Sequence, residues 1–176
     1  MFCFQSNNNF LSSALINFFQ QKDIQVTADK EKPIFACLFF LQNDSNLTCN
    51  LNNQSFNLTL PQHSHILFTS VMEILKKVNI QYQEMSYFPV LQQVNSNSRS
   101  IKIKNIHNII FSNLLLNLNG GINKYDLYKL IWPFDKDIQI NKLDTHLTNL
   151  KSEIKSELNF NLEFSSASGT LKLAVY

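Results

Sequence analysis

Residues 143–158 read LDTHLTNLKSEIKSEL, and the spacing of their aliphatic side chains decides the C-terminal half of the fold. Leu143, Leu147, Leu150, Ile154 and Leu158 follow one another at steps of four, three, four and four residues. Because side chains three and four residues apart share one face of an α-helix, the segment predicts an amphipathic helix. The aliphatic seam is expected to face a core, and the polar side chains to face away from it.

Two further helices are predicted upstream of this segment. Asn105 can cap a helix over residues 106–118, which Gly120 and Gly121 end. Asn123 can cap a short helix over residues 125–131, which Trp132 and Pro133 stop. Downstream, residues 161–164 and 170–175 read as two strands around a turn of small residues. Three helices, the last two joined by a short turn, and a closing hairpin are typical of an α+β winged helix-turn-helix domain.

The N-terminal part alternates between strands and helices. A strand over residues 2–4 precedes an apolar helical pattern over residues 10–21 and a short strand over residues 24–26. Residues 34–41 form a nearly unbroken apolar run, which predicts a strand buried on both faces of a parallel sheet. This order of elements is typical of an α/β domain.

Between these two parts the pattern is weaker. Residues 44–60 are rich in asparagine and alternate loosely, which favours a hairpin over Asn52 and Asn53. A helix is predicted over Ile66–Val78, and residues 79–100 favour a hairpin or small sheet with a second strand near residues 100–104. We therefore predict two domains, 1–78 and 79–176.

Composition excludes several classes of protein. The 176 residues are 44% hydrophobic and 16% charged with a net charge of +2, which fits neither a disordered acidic tail nor a polycation. Three cysteines without a CxxC pair favour a reducing compartment, and no run is long and apolar enough for a membrane span. A cytoplasmic protein is expected. No nucleophile elbow, phosphate loop or metal-ligand spacing occurs, so we expect no enzyme activity, no metal and no cofactor.

Three motifs carry a resemblance to a known family. The stretches LYKLIW at 127–132, LDTHLTNL at 143–150 and GTLKL at 169–173 resemble the effector domain of OmpR/PhoB-type response regulators. The resemblance covers residues 87–176 and implies a winged-helix DNA-binding domain. The N-terminal order of elements is similar to the receiver domain of the same family, which implies a shortened, flavodoxin-like pseudo-receiver.

The receiver resemblance is incomplete at the positions that carry its chemistry. Receivers bind Mg²⁺ with an acidic pair after the first strand, where this chain has Gln5–Asn9 without a carboxylate. The segment Leu41–Asn43 stands where the phosphoryl-accepting aspartate is expected, with Asp44 slightly beyond it, and Leu60 replaces the lysine before Pro61. We therefore expect a regulator that works without phosphorylation, with Asp44 an ordinary loop residue.

The third C-terminal helix is the candidate DNA reader. With the seam facing the core, its remaining side chains are predicted to face outward or lie at the edge, with Glu153 repelling phosphate. The predicted DNA contacts on this helix are Lys142, Thr145, His146, Asn149, Lys151 and Lys155, and those on the wing are Thr170 and Lys172. The family carries Arg or Lys where this chain has Asn149 and Glu153.

The predicted partners are double-stranded DNA, a second copy of the chain bound through the N-terminal domain, and RNA polymerase, with no membrane. The alternative function is a protein–protein adaptor in which the winged helix is a scaffold without DNA affinity. Residues 79–176 hold ten basic and eight acidic residues, a surplus of two that leaves both functions open. A weaker third alternative is an enzyme on the N-terminal α/β unit.

Overall fold

The computed structural model describes residues 1–32, 34–43, 46–51, 54–59 and 63–174. For Gln54 it describes the backbone but not the side chain. The chain divides into two compact units, Met1–Val78 and Asn79–Tyr176. Asp44, Leu60, Pro61 and the pair Asn52–Asn53 lie outside the described residues, so the predictions made for them are not tested.

The N-terminal unit is a mixed α/β structure. Its strands are β1 (Phe2–Ser6), β2 (Val26–Thr27), β3 (Ala36–Asn43), β4 (Asn46–Leu51) and β5 (Gln54–Thr59), and its helices are α1 (Asn9–Gln20) and α2 (Ser64–Lys76). They form one sheet in the order β2-β1-β3-β4-β5. The first three strands are parallel, whereas β4 and β5 form an antiparallel hairpin on β3. A parallel-containing sheet with helices is therefore confirmed for this unit.

Only one face of β3 is well covered, which corrects the prediction of a strand buried on both faces. Leu38 and Phe40 are completely buried, whereas Phe39 and Leu41, which alternate with them along the strand, are 40% and 46% exposed. The covering helices lie on the same side, because Phe19 of α1 packs on Phe4 and both helices meet at Phe18 and Phe68, whose rings stack at 3.8 Å. The apolar side chains on one face of β3 are buried, whereas those on the opposite face are partly exposed to solvent.

The C-terminal unit begins with a four-stranded antiparallel sheet, which is the second of the two predicted alternatives, a hairpin or a small sheet. Its strands are β6 (Ile80–Tyr82), β7 (Met85–Phe88), β8 (Gln93–Ser96) and β9 (Arg99–Lys102), paired in sequence order. Tyr87 of β7 is buried, and its hydroxyl donates to Asn108 Oδ1 at 2.6 Å and contacts the hydroxyl of Ser112. These bonds attach the sheet to the helix that follows.

Three helices and a second small sheet complete this unit. They are α3 (Asn105–Leu116), β10 (Ile122–Asn123), α4 (Lys124–Ile131), α5 (Ile140–Leu158), β11 (Phe164–Ala167) and β12 (Thr170–Leu173). The three predicted helices are confirmed. The sheet has the order β10-β12-β11, so β10 adds a third strand that the sequence pattern did not predict.

The helix ends differ in part from the prediction. Asn123 caps α4 as predicted, since its Oδ1 accepts from the amide of Tyr125 at 2.8 Å. Lys104, not Asn105, is the N-cap residue of α3, and its side chain makes no capping hydrogen bond. The connection between α4 and α5 runs over residues 132–139, longer than the short turn expected. None of the helices in the described part of the chain has both the length and the apolar content needed to cross a membrane.

Gly121 is the glycine on which the β10–β12 contact depends. Its φ is +77°, and a Cβ atom there would lie 2.9 Å from the carbonyl oxygen of Leu171 and 2.7 Å from Cγ2 of Thr170. The neighbouring Gly120 has open space where a Cβ would be.

We predict that Gly121→Ala lowers the free energy of unfolding by about 1–3 kcal/mol, because it combines a left-handed backbone with a backbone clash. Gly120→Ala is the matched control and should leave stability nearly unchanged. Urea denaturation of the two variants measures the difference. Equal stability of both variants would contradict the strain assigned to Gly121.

Candidate nucleic-acid interface

Helix α5 presents an uncharged polar face to solvent. Its aliphatic seam is buried, with Leu143, Leu150 and Ile154 completely so. The opposite side carries six exposed side chains, here called the outer strip: Asn141, Thr145, Thr148, Asn149, Ser152 and Ser156. Because none of them is charged, the strip can offer hydrogen bonds but no net attraction for phosphate.

Three hydroxyl groups of the outer strip are bound to the helix itself. Thr145 Oγ1 donates to the carbonyl of Asn141 at 2.8 Å, and Thr148 and Ser156 likewise donate to carbonyls of α5. Asn149 and Ser152 make no side-chain hydrogen bond to the described residues. Both Nδ2, a donor, and Oδ1, an acceptor, of Asn149 are therefore available to bind a partner.

Lysines on the flanks of α5 differ in their surroundings. Lys151 and Lys155 are exposed and form no ion pair within the described part of the chain. Lys142 is half-buried, with its Nζ 2.9 Å from Asp135 Oδ2 and 4.1 Å from the ring centroid of Trp132. The charge of Lys142 is thus already offset, whereas the other two lysines remain available to an anionic partner.

Asp135 fixes the segment between α4 and α5. Its Oδ2 accepts from the hydroxyl of Tyr128 at 2.6 Å as well as from Lys142. The hydrogen bond from Tyr128, followed by that from Lys142, lowers the pKa of Asp135. Local sequence gives no signal for this role of Asp135, because only the folded geometry brings Tyr128 and Lys142 to its carboxylate.

His146 is half-buried at the edge of the exposed face of α5, one of the two positions predicted for it. Its ring lies between Trp132, at a centroid distance of 5.5 Å, and His107, at 5.7 Å. Its Nδ1 is buried without a hydrogen-bond partner. Burial, followed by the positive charges of His107, Lys142 and Lys104, lowers the pKa of His146. The ring is therefore held in its neutral form.

Glu153 is half-buried at the edge of α5, one of the two positions predicted for it, and it contacts α3. Its Oε2 lies 2.7 Å from Nδ1 of His107, which is 3% exposed. The carboxylate of Glu153 is itself 27% exposed. Its repulsion of phosphate stays a prediction.

The two wing residues lie on the central strand of the second sheet. Thr170 and Lys172 are half-buried on β12, and Nζ of Lys172 donates to the carbonyl of Asn119 at 3.4 Å. The tip of the hairpin is formed by Ser168 and Gly169, both exposed and both with positive φ. The structure thus places the predicted wing contacts behind the tip, and DNA contact by them stays a prediction.

In the N-terminal unit, amide side chains occupy the end of β1 and β3. Asn7 Oδ1 accepts from the backbone amide of Gln42 at 2.9 Å, and Asn7 Nδ2 donates to its carbonyl at 2.9 Å. Asn8 Oδ1 accepts from the amides of Phe10 and Leu11, and Asn8 Nδ2 donates to Gln42 Oε1 at 2.8 Å. Across the described residues no group of three or more His, Cys, Asp or Glu could hold a metal ion.

The three cysteines are free thiols. Cys3 and Cys49 are completely buried, and Cys37 pairs in register with Cys3 on the neighbouring strand. Burial raises the pKa of Cys49 to about 12, and burial together with the hydrogen bond to Cys3 raises the pKa of Cys37 to about 12. Thiols with such pKa values are poor nucleophiles at neutral pH.

Comparison with known proteins adds little to this description. No family model matches the chain, and no curated protein matches it. One solved structure, a cysteine-to-aspartate mutant of RitR, aligns over 100% of both chains with 9% sequence identity and a TM-score of 0.40. At that identity the function of this chain has to be inferred from its own residues.

We predict that the stability of the chain falls as the pH drops below about 6.5, the ordinary pKa of histidine. The folded pKa of His146 lies below its unfolded value, so the unfolded state takes up the proton first and stability rises with pH across that interval. Thermal denaturation from neutral pH downward should show a loss that His146→Phe reduces. Replacing the exposed His63 with Gln is the control, and an unchanged loss in His146→Phe would refute the assignment.

Proposed function

We propose that the chain is a DNA-binding transcriptional regulator of the response-regulator type that acts without phosphorylation. In this proposal residues 79–176 form a winged-helix DNA-binding domain and residues 1–78 a degenerate, shortened receiver. RNA polymerase is the further partner that such a regulator would contact.

The observation that carries the proposal is the order α3-α4-α5-β11-β12 together with the outer strip of α5. Three helices followed by a hairpin, with β10 completing the sheet, are the arrangement expected of a winged helix. Helix α5 is the last of the three, and its 19 residues extend for about 28 Å. A helix of this kind fits the major groove of B-DNA, which is about 12 Å wide.

Different side chains of α5 are suited to holding the protein on DNA and to recognising the base sequence. Lys151 and Lys155 can contact phosphates, which fix the protein on the duplex without specifying sequence. Asn149 is exposed with a free amide, and an asparagine side chain can pair with N6 and N7 of adenine. Thr145 and Ser152 add hydroxyl groups on the same strip.

The amide cluster at the end of β1 and β3 supports phosphorylation independence. Asn7, Asn8 and Gln42 hydrogen-bond to one another and to the backbone at the place where receivers hold Mg²⁺ with carboxylates. Amide oxygens are neutral ligands, and here their hydrogen-bonding capacity is used within the cluster.

The adaptor function remains the second candidate, and one observation favours it. Tyr125, Leu130 and Phe134, on α4 and the segment after it, are 53%, 40% and 94% exposed. Large apolar side chains in that position are suited to a protein partner.

We also propose that the N-terminal unit forms a homodimer through α2. Ile66 is 44% exposed on this helix, and Phe68 and Met72 line a groove that continues onto Phe18 of α1. Burying such a surface against a second copy removes apolar area from water.

We predict salt-dependent binding of the full chain to double-stranded DNA. Lys155→Gln should lower the slope of log affinity against log salt by about one unit, since one phosphate contact is lost. Asn149→Ala should instead reduce discrimination between duplexes by about 1–3 kcal/mol. A salt series of fluorescence-anisotropy titrations on random and genomic duplexes measures both effects.

The matched control is Lys22→Gln, which removes the same charge from the N-terminal unit. The slope of log affinity against log salt for this variant should equal that of the unmodified chain. Binding that is undetectable at low ionic strength, or equally affected by both lysine variants, would favour the adaptor over the regulator.

The dimer is tested by Ile66→Asp, which places a charge on the exposed side of α2 without touching the core. Light scattering at roughly tens of micromolar should show a dimer for the unmodified chain and a monomer for the variant. Ser13→Asp adds the same charge to an exposed position of α1 and should stay dimeric. A monomeric unmodified chain would refute this proposal.

A further inference from the structure

The turn after α3 contains the sequence Asn119-Gly120. The chain has 23 asparagines, yet only Asn119 is followed by glycine. Both residues are exposed, and they lie between the end of α3 and the short strand β10.

The two groups of this pair that would react make no hydrogen bond, whereas the turn around them is held in place. The side chain of Asn119 and the backbone amide of Gly120 make no hydrogen bond within the described residues. On either side, the amide of Gly121 donates to the carbonyl of Asn117 at 2.7 Å, and Lys172 Nζ donates to the carbonyl of Asn119 at 3.4 Å. Gly120 has no Cβ, and the space where one would lie is empty.

We propose that Asn119 is a site of spontaneous deamidation. The Gly120 amide nitrogen loses its proton to hydroxide and attacks Cγ of Asn119, forming a new C–N bond. The Cγ–Nδ2 bond breaks, Nδ2 takes up a proton, and ammonia leaves a five-membered succinimide. Water then opens the ring at Cγ to give aspartate, or at the main-chain carbonyl carbon to give isoaspartate.

Glycine is what makes this pair reactive. A side chain after asparagine crowds the attacking nitrogen and restricts the backbone, whereas glycine does neither. Asn95 and Asn97 are each followed by serine, and Asn95 lies in the paired strand β8, where its Oδ1 accepts from Gln93. These asparagines should react more slowly than Asn119.

The product places a new negative charge beside Lys172. The Nζ of Lys172 already lies 3.4 Å from the main-chain oxygen of Asn119, so a carboxylate on this residue can pair with it. The consequence rests on the proposed function: if Lys172 contacts DNA, deamidation neutralises one contact of the wing. The modification would then act as a slow, irreversible decrease in DNA affinity.

The first experiment detects the modification without reference to DNA. The full chain is incubated at mildly alkaline pH and physiological temperature, and peptides are analysed by mass spectrometry and by isoaspartyl methylation. We expect the mass of the peptide containing Asn119 to rise by about one dalton before that of any other asparagine peptide. In Gly120→Ala this difference in rate should disappear. Conversion of other asparagines ahead of Asn119, or equal conversion in Gly120→Ala, would overturn the proposal.

The second experiment tests the consequence for DNA. Asn119→Asp should bind duplexes more weakly, with a salt slope about one unit smaller, and Asn119→Gln should match the unmodified chain. Equal binding by Asn119→Asp would overturn the effect on affinity. Failure of the unmodified chain to bind DNA would overturn the proposed function instead, and the mass measurement would still decide the modification.

Discussion

The buried seam of α5 is the constraint on which the C-terminal unit depends. Complete burial of a leucine or isoleucine side chain stabilises the fold by about 1.5–3 kcal/mol, and α5 carries five such side chains in one stripe. Rotating the helix by one residue would turn the stripe through about 100° and expose part of it. The seam therefore fixes which side chains form the outer strip.

A polar cluster at the start of α5 adds a second constraint, which holds the helix to its neighbours. Asp135 binds both Tyr128 of α4 and Lys142 of α5, so one carboxylate joins the two helices across the connection between them. His107 of α3 meets Glu153 of α5 further along the same helix. These contacts engage two polar side chains of α5, Lys142 and Glu153, and they reduce the part of the helix surface that a partner can reach.

The helices were predictable from sequence because their periodicity is local. The seam of α5 and the cap at Asn123 depend on residues close together in the chain, and both agree with the structure. The contacts of His146 and Glu153 with His107, about forty residues away, could not be predicted, because no local pattern contains that information. The partial exposure of β3 was missed for a similar reason, since an apolar run does not state how many layers cover it.

The composition of the sheet in the N-terminal unit has a consequence for the order in which it folds. Strands β3, β4 and β5 are close in sequence, since their nearest paired residues, such as Asn43 with Asn46, are three positions apart. Phe2 of β1 pairs with Ala36, 34 residues away, and the helix α1 lies in between. Because closing a long loop costs more conformational entropy than pairing strands that are close in sequence, we expect the hairpin strands to pair before β1 docks on β3. The edge strand β2 pairs with β1, so it joins the sheet only once β1 is in place.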